Sequence, residues 1–304
     1  MIITLLRLSI HSLKNRILTV GVTIFAIALG VFLLLSVEKI RSEAKQNFTD
    51  TISGTDLVVG ARSGSIQLLL YSVFRLGNPT SNVSWKSYQS FAQSKDVAWT
   101  IPISLGDSHR GFRVLGTTED YFKHYRFGRK QAIQFGAGKP FKDVFDAVLG
   151  ADITKKLGYK LGQKIILSHG IGEVKGPDHA DKPFRITGIL AKTGTPLDRT
   201  IHISLKGMEA LHIDWRSGAP IPGIKVSAEE VRQLELEPKS ITSFLVGLKS
   251  KLSIFKVQRR INQYKKEPLM AVLPGVALQE LWDLMSTAEI AFSIISTLVV
   301  AISL

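Results

Sequence analysis

The stretch from Ile17 to Val37 constrains the fold more than any other part of the chain. It contains 21 consecutive residues without a charged side chain, between Arg16 and Glu38. A helix of this length rises roughly 30 Å, which matches the hydrocarbon thickness of a bilayer. A buried helix of a soluble domain is usually shorter and carries a polar face, and this stretch carries none. The sequence therefore predicts a transmembrane helix over residues 17–37.

A cleaved signal peptide is the other interpretation of an apolar stretch near the N-terminus. The apolar core of such a peptide is about 7–15 residues long, and a small-residue cleavage site follows it. Here the apolar stretch is longer and leads directly into the charged segment Glu38–Arg41. We therefore expect the helix to remain in the protein as an anchor.

Residues 1–16 are predicted to form an amphipathic helix on the cytoplasmic surface of the membrane, ahead of the span. The basic side chains of Arg7, Lys14 and Arg16 would anchor this helix at the lipid headgroups. The segment has no acidic residue, which favours a cytoplasmic start for the chain.

Three small residues lie inside the predicted span. Ala26 and Gly30 are four positions apart, and Gly21 precedes them. Small residues at this spacing allow two membrane helices to approach closely. We predict helix packing at these three positions.

A second apolar stretch lies at the other end of the sequence, where Ile290–Leu304 has 15 uncharged residues. A span needs about 20 residues. A start at Leu284 supplies 21, with Glu289 near the interface. We expect a second transmembrane helix over residues 284–304. We also expect the sequence to be truncated there, with further spans beyond it.

Residues 38–283, between the two predicted spans, have the pattern of a mixed α+β domain, predicted to be extracytoplasmic. Short apolar stretches rich in β-formers alternate with Gly, Pro and short helical segments. Strands are predicted at 98–105, 111–116, 147–149, 164–168, 184–190, 201–204, 221–226 and 242–248. Helices are predicted at 66–76, 84–93, 118–124, 153–157, 251–264 and 277–285.

Composition excludes several classes of function. The chain has 304 residues, a formal charge of +14 and no cysteine, which excludes disulfides and thiolate sites. Its Lys and Arg residues are spread along the sequence, and this argues against a nucleic-acid partner and favours attraction to an anionic membrane. No nucleophile elbow, metalloprotease, dinucleotide or kinase motif is present. We expect no catalytic residue and no bound cofactor.

One group of residues has metal-binding side chains. His169, Asp178 and His179, with Asp181 close by, occur in a Gly-rich segment after a predicted strand. His and Asp can bind a divalent metal. However, the spacing matches no recognised metal motif, and loops are generally rich in such residues. The sequence favours a solvated hairpin tip over a metal site.

Thr193–Arg199 is a second conspicuous loop. Its Thr, Gly and Pro residues favour a turn on chemical grounds alone. Contact with a partner is the other interpretation, since functional contacts often lie on loops. The turn is favoured.

Taken in order, these features resemble the FtsX-like/MacB-like permeases of ABC transporters. The layout of amphipathic start, span, long α+β domain and return span carries the resemblance, which covers most of the chain. The residues that carry it are Leu13–Arg16, Asp56–Gly60, Val148–Ala151, Leu157–Gly158, Leu161–Gly162, Phe184–Leu190 and Leu273–Gly275.

This resemblance implies a multi-pass protein of the bacterial inner membrane with a MacB-like periplasmic core. It implies a separate cytoplasmic ATPase that uses ATP, and a second copy of this permease or a related one. Such permeases couple ATP hydrolysis to motion of the outer domain, for export or extraction of a lipoprotein, peptide or drug. A periplasmic adaptor or substrate protein is a further implied partner. The alternative is a regulatory protein of the same build that controls a cell-wall hydrolase without transport.

Overall fold

The computed structural model describes residues 14–170, 178–216 and 219–303. The chain divides into two compact units. One contains the residues up to Gln46 and those from Gln279 onward. The other is Asn47–Leu278. It contains all the strands that the structure describes, and we call it the sheet domain.

The first long helix, α1, runs without interruption over Ile17–Thr51. Its apolar side chains are exposed, as Leu18 (80%) and Phe25 (68%) show. Among the described residues, it is the one helix long and apolar enough to cross a membrane. The predicted amphipathic segment lies almost wholly outside the described residues, Arg7 included, and Lys14 and Arg16 are exposed.

The predicted packing residues of α1 differ in their exposure. Gly21 is exposed, Ala26 is half-buried and Gly30 is buried. At the other end of the chain, the last helix runs over Pro274–Ser303. The second predicted span, residues 284–304, falls within it except for the final residue. That this helix crosses a membrane stays a prediction.

The helices between these two are short. In chain order, they are α2 Ser65–Leu69, α3 Trp85–Ala92, α4 Asp120–His124, α5 Ala151–Leu157, α6 Leu205–His212, α7 Ala228–Gln233 and α8 Ile254–Asn262, and the last helix is α9. A π-helical turn over Leu70–Phe74 extends α2.

The strands are as follows: β1 Leu57–Ala61, β2 Val83–Ser84, β3 Val97–His109, β4 Phe112–Thr117, β5 Arg126–Phe127, β6 Gln131–Ala132, β7 Phe135–Gly138, β8 Asp146–Leu149, β9 Lys164–Ile165, β10 Ser168–His169, β11 Phe184–Leu190, β12 Thr200–Ser204, β13 Trp215–Arg216, β14 Ala219–Pro220, β15 Ser240–Ile241, β16 Ser243–Leu248 and β17 Leu269–Val272.

Eleven of these strands form one mixed sheet, and nine of them follow the order β17-β1-β16-β3-β4-β12-β8-β11-β7. The other two pair beside this path, β10 with β3 and β9 with β11. Most neighbours are antiparallel, while β12 pairs parallel with β4 and β11 pairs parallel with β8. The sequence prediction of a mixed α+β domain is confirmed.

The central strands are buried on both faces of the sheet. In β16, Leu245 packs into one apolar cluster, whereas Phe244 and Val246 pack into another on the opposite face. In β8, Val148 and Leu149 divide between two clusters in the same way. Burial on both faces explains why these strands have continuous apolar stretches in the sequence instead of an apolar/polar alternation.

Three of the predicted elements need correction. The predicted strand 164–168 is interrupted at 166–167 and forms β9 and β10, which pair with β11 and β3 respectively. The predicted strand 221–226 is wrong, because Gly223 adopts a positive φ of 79° and the Ile224 amide donates to the Ile221 carbonyl, which makes a turn. The predicted helix 251–264 is shorter in the structure. A 3-10 turn over Lys251–Ser253 precedes α8.

Candidate functional site

Four side chains from distant parts of the sequence meet at one end of β3. They are Asp107, His169, His179 and His212, and one ligand atom from each lies within 4.8 Å of the others. We call them the His₃Asp cluster. Three imidazoles and a carboxylate are side chains that could hold a divalent metal ion.

Regular structure positions three of the four residues. Asp107 and His169 lie directly opposite each other in the antiparallel pairing of β3 with β10. His212 is the last residue of α6. Its Nδ1 lies 2.9 Å from the carbonyl oxygen of Met208, one turn earlier. This hydrogen bond orients the other ring nitrogen, Nε2, towards Asp107 and His169.

His179 enters the cluster from a segment without regular secondary structure. Its backbone amide donates to the Leu167 carbonyl at 2.9 Å, and its carbonyl accepts from the Lys182 amide at 3.1 Å. The residue is fully buried. Trp215 covers it, with ring centroids 4.4 Å apart.

The closest distances in the cluster involve Asp107. His169 Nδ1 lies 3.2 Å from Asp107 Oδ1, and His212 Nε2 lies 3.5 Å from Asp107 Oδ2. His212 Nε2 lies 3.3 Å from His169 Nδ1. Asp107 is fully buried, whereas about a third of each of the His169 and His212 side chains is exposed.

The imidazoles determine the charge state of Asp107. Burial alone would raise its pKa, but hydrogen bonds from His169 and His212 outweigh burial and lower the pKa to about 2. For His212, burial would lower the pKa, yet the hydrogen bond to Asp107 and its negative charge raise it. Burial lowers the pKa of His179 to about 4, so that this ring is neutral at pH 7.

A buried ion pair lies next to the cluster. The Lys182 ammonium, fully buried, donates to both carboxylate oxygens of Asp214 at 2.9 and 2.8 Å, and to Asp181 at 2.8 Å. Lys182 follows His179 by three residues, and Asp214 directly precedes Trp215. The ion pair therefore joins the two segments that enclose His179.

The structure brings together only part of the predicted metal group. His169 and His179 lie in the cluster, whereas Asp178 lies outside it and accepts a hydrogen bond from Ser168, and Asp181 pairs with Lys182. The expected solvated hairpin tip is wrong for His179, because Trp215 and His212 bury its ring.

Asp107 and His212 were missed because they come from elements 62 and 43 residues away from His169. Only the pairing of β3 with β10, and the return of α6 to the same end, bring them close. No local spacing in the sequence records this proximity.

The loop 193–199 has an internal framework centred on Asp198, which is 1% exposed. Its carboxylate accepts from the backbone amides of Thr193 and Gly194 at 2.8 and 2.7 Å. It also accepts from the Thr193 hydroxyl at 2.9 Å. These hydrogen bonds account for the turn, in agreement with the interpretation that the sequence favoured.

A family model for the MacB-like periplasmic core domain matches residues 20–264 of the chain. The chain belongs to this family. The match extends from inside α1 to beyond α8 and includes the whole His₃Asp cluster. The family places the chain among proteins of the ABC-transporter type. No curated protein matches the chain.

Two solved structures are similar to the chain. One is the periplasmic region of MacB from Actinobacillus actinomycetemcomitans, with 11% identity, a TM-score of 0.47, and coverage of 76% of this chain and 94% of that one. The other is the extracellular domain of the noncanonic ABC-type transporter YknZ from Gram-positive bacteria. It shows 12% identity, a TM-score of 0.42, and coverage of 71% of this chain and 98% of that one.

Proposed function

We propose that this chain is the permease subunit of an FtsX/MacB-type ABC transporter in the bacterial inner membrane, with the sheet domain on the extracytoplasmic side. The family match over residues 20–264 carries this proposal. It includes most of the apolar part of α1 and most of the sheet domain, so one family model covers both the long helix and the domain.

Contacts at the end of α1 support a mechanical role for this helix. Phe48 packs on Phe74 in the main apolar cluster, with ring centroids 4.4 Å apart. The Tyr125 hydroxyl donates to the carbonyl oxygen of Thr51, the last residue of the helix. The Asp50 carbonyl accepts from the Gly128 amide at 2.6 Å. The last turn of α1 is therefore anchored within the sheet domain.

The start of α9 is held in the same cluster. Ala277 and Leu278 are 1% and 6% exposed and belong to the apolar cluster that contains Phe74. A continuous helix that ends in a packed core transmits a tilt to that core, as in hinge and shear motions. The last turn of α1 and the first turn of α9 both pack in this core.

In this proposal, a separate cytoplasmic ATPase hydrolyses ATP, and the chain itself is not an enzyme and binds no cofactor for the reaction. A second copy or a related permease completes the complex. Motion of the sheet domain then exports or extracts a substrate such as a lipoprotein, peptide or drug, with a periplasmic adaptor or the substrate protein as partner.

The experiment uses the complex of the full-length permease and its ATPase in proteoliposomes. Ala44→Pro interrupts α1 ahead of its anchored last turn, at a cost of about 3 kcal/mol in helix stability. Ala44→Leu is the matched control, because Leu preserves the helix. We expect Ala44→Pro to assemble and hydrolyse ATP, yet to lose ATP-dependent substrate movement, while Ala44→Leu retains both activities.

Full substrate movement by Ala44→Pro would contradict the mechanical role. The proteins that co-purify with the permease complex distinguish transport from regulation. A periplasmic adaptor or cargo protein supports transport, whereas a cell-wall hydrolase activated without any cargo would replace transport by regulation.

A further inference from the structure

We propose that the sheet domain binds one divalent transition-metal ion, with Zn²⁺ as the expected one, through Asp107, His169, His179 and His212. This site goes beyond the proposed transport function. It depends only on the fold of the sheet domain and can be tested without the ATPase.

The separations of the donor atoms fit a tetrahedral ion. Zinc bonds of about 2.0–2.1 Å at tetrahedral angles place neighbouring donor atoms about 3.3 Å apart. Separations of 3.2, 3.3 and 3.5 Å join donor atoms of Asp107, His169 and His212, and each imidazole faces a different carboxylate oxygen of Asp107. The fourth donor, from His179, lies within 4.8 Å of the others, so local adjustment of these side chains would let one ion contact all four.

His179 provides an independent reason to expect a ligand. Its ring is fully buried, and neither Nδ1 nor Nε2 has a hydrogen-bond partner. Buried polar atoms are nearly always partnered, and leaving one unpaired costs about 1–3 kcal/mol. Asp107 Oδ2 is buried as well, with His212 Nε2 3.5 Å away. One cation among the four side chains would satisfy both residues.

The surroundings prepare these side chains as ligands. A metal binds an unprotonated ring nitrogen, and a hydrogen bond from the other nitrogen fixes that tautomer. In His212, the Nδ1 bond to the Met208 carbonyl leaves Nε2 free to face the cluster. The strand pairing of His169 with Asp107 holds these two donors in register.

The number and type of donors indicate the kind of site. Four protein ligands fill a tetrahedral shell, which is typical of a structural zinc site, whereas catalytic sites keep one position open for water. Mg²⁺ and Ca²⁺ prefer oxygen ligands, so a set with three imidazoles selects against them. The ion would join β3, β10, α6 and the segment that carries His179.

Metal binding can be measured directly on the purified full-length chain in detergent after treatment with a chelator. Titration with Zn²⁺ against a chromophoric chelator gives stoichiometry and affinity, and the visible absorption of Co²⁺ in place of Zn²⁺ reports tetrahedral coordination. We expect one equivalent of Zn²⁺ per chain, a tetrahedral Co²⁺ spectrum, and no competition from Mg²⁺.

His169→Ala and His212→Ala are the test variants, because these partly exposed side chains can be truncated with little loss of packing. We expect each to weaken Zn²⁺ binding by at least about 100-fold, because loss of a group that only supports a ligand already costs about 10–100-fold. His124→Ala is the matched control, because His124 stacks on Trp99 outside the cluster. It should bind as the wild type does. Circular dichroism of the metal-free proteins checks that all of them fold.

Either of two results would overturn the proposal. One is the absence of stoichiometric Zn²⁺ binding by the wild-type chain. The cluster would then be a hydrogen-bonded network around Asp107. The other is wild-type affinity in both His169→Ala and His212→Ala, which would place any bound metal elsewhere.

Discussion

The buried Lys182–Asp214 pair allows a quantitative test of how the segments around His179 are held. Lys182→Met keeps the apolar stem and removes the charge. It leaves Asp214, whose side chain is 6% exposed, without its cation, while the Val226 amide at 3.3 Å remains as a hydrogen-bond donor. Removing one partner of a buried ion pair costs about 3–5 kcal/mol, because the remaining charge is desolvated and uncompensated.

This cost corresponds to a measurable shift in the melting temperature. The sheet domain has 232 residues, counted from Asn47 to Leu278. For a domain of this size, each kcal/mol lowers the melting temperature by about 2–4 °C. We therefore expect Lys182→Met to melt about 6–20 °C below the wild type. The assay is thermal unfolding followed by circular dichroism, with the full chain in detergent and a chelator present to exclude metal.

Two further variants make this prediction specific. Lys256→Met removes an exposed lysine that pairs with Asp96, and it should cost less than about 1 kcal/mol. Lys182→Met combined with Asp214→Asn removes both charges and should recover part of the loss. Melting of Lys182→Met like Lys256→Met, or a double variant no more stable than Lys182→Met alone, would show that the buried pair does not hold these segments.

Three other predictions concern the sheet domain. Burial, with a contribution from a nearby arginine, lowers the pKa of His202 from 6.5 to about 3. The unfolded chain therefore takes up a proton that the folded chain excludes, and stability falls by about 2 kcal/mol between pH 7.5 and 5. Urea unfolding should show a smaller pH dependence for His202→Gln, and an unchanged one would contradict the assignment. A Cβ at Gly247 would lie 2.1 Å from the Trp99 ring. Gly247→Ala should therefore lose about 1–3 kcal/mol in thermal unfolding, against little loss for Gly106→Ala, where a Cβ meets nothing within 4 Å. Asp198→Ala leaves two backbone amides without their acceptor and should lose about 2 kcal/mol or more, whereas equal melting temperatures for variant and wild type would exclude this role.

Local patterns were sufficient to predict the long helix and many of the strands. The apolar stretch Ile17–Val37 lies within the uninterrupted helix α1, and the strand predicted at 184–190 coincides with β11. The prediction at 221–226 was wrong although three of these six residues, Ile221, Ile224 and Val226, are β-branched and apolar. The Pro222-Gly223 pair in this segment favours a turn, and the turn prevailed.

The His₃Asp cluster, in contrast, could not be predicted from local sequence patterns. His169 and His179 are identifiable because they are near each other in the sequence, although the sequence favours a solvated tip for them. Asp107 and His212 carry no local sign of a ligand role, since only long-range strand pairing and the return of α6 bring them to the other two. A cluster assembled by topology is visible only in three dimensions.

We propose that α1 anchors the chain in the membrane and that the sheet domain lies on the side opposite the basic start of the chain. Because the chain has no cysteine, a single Cys introduced at Leu252, which is 96% exposed, is a unique label in the sheet domain. A second variant carries the Cys at Lys14. A membrane-impermeant maleimide applied to intact spheroplasts should label Leu252→Cys at once and Lys14→Cys only after lysis. Labelling of Leu252→Cys only after lysis would contradict the account.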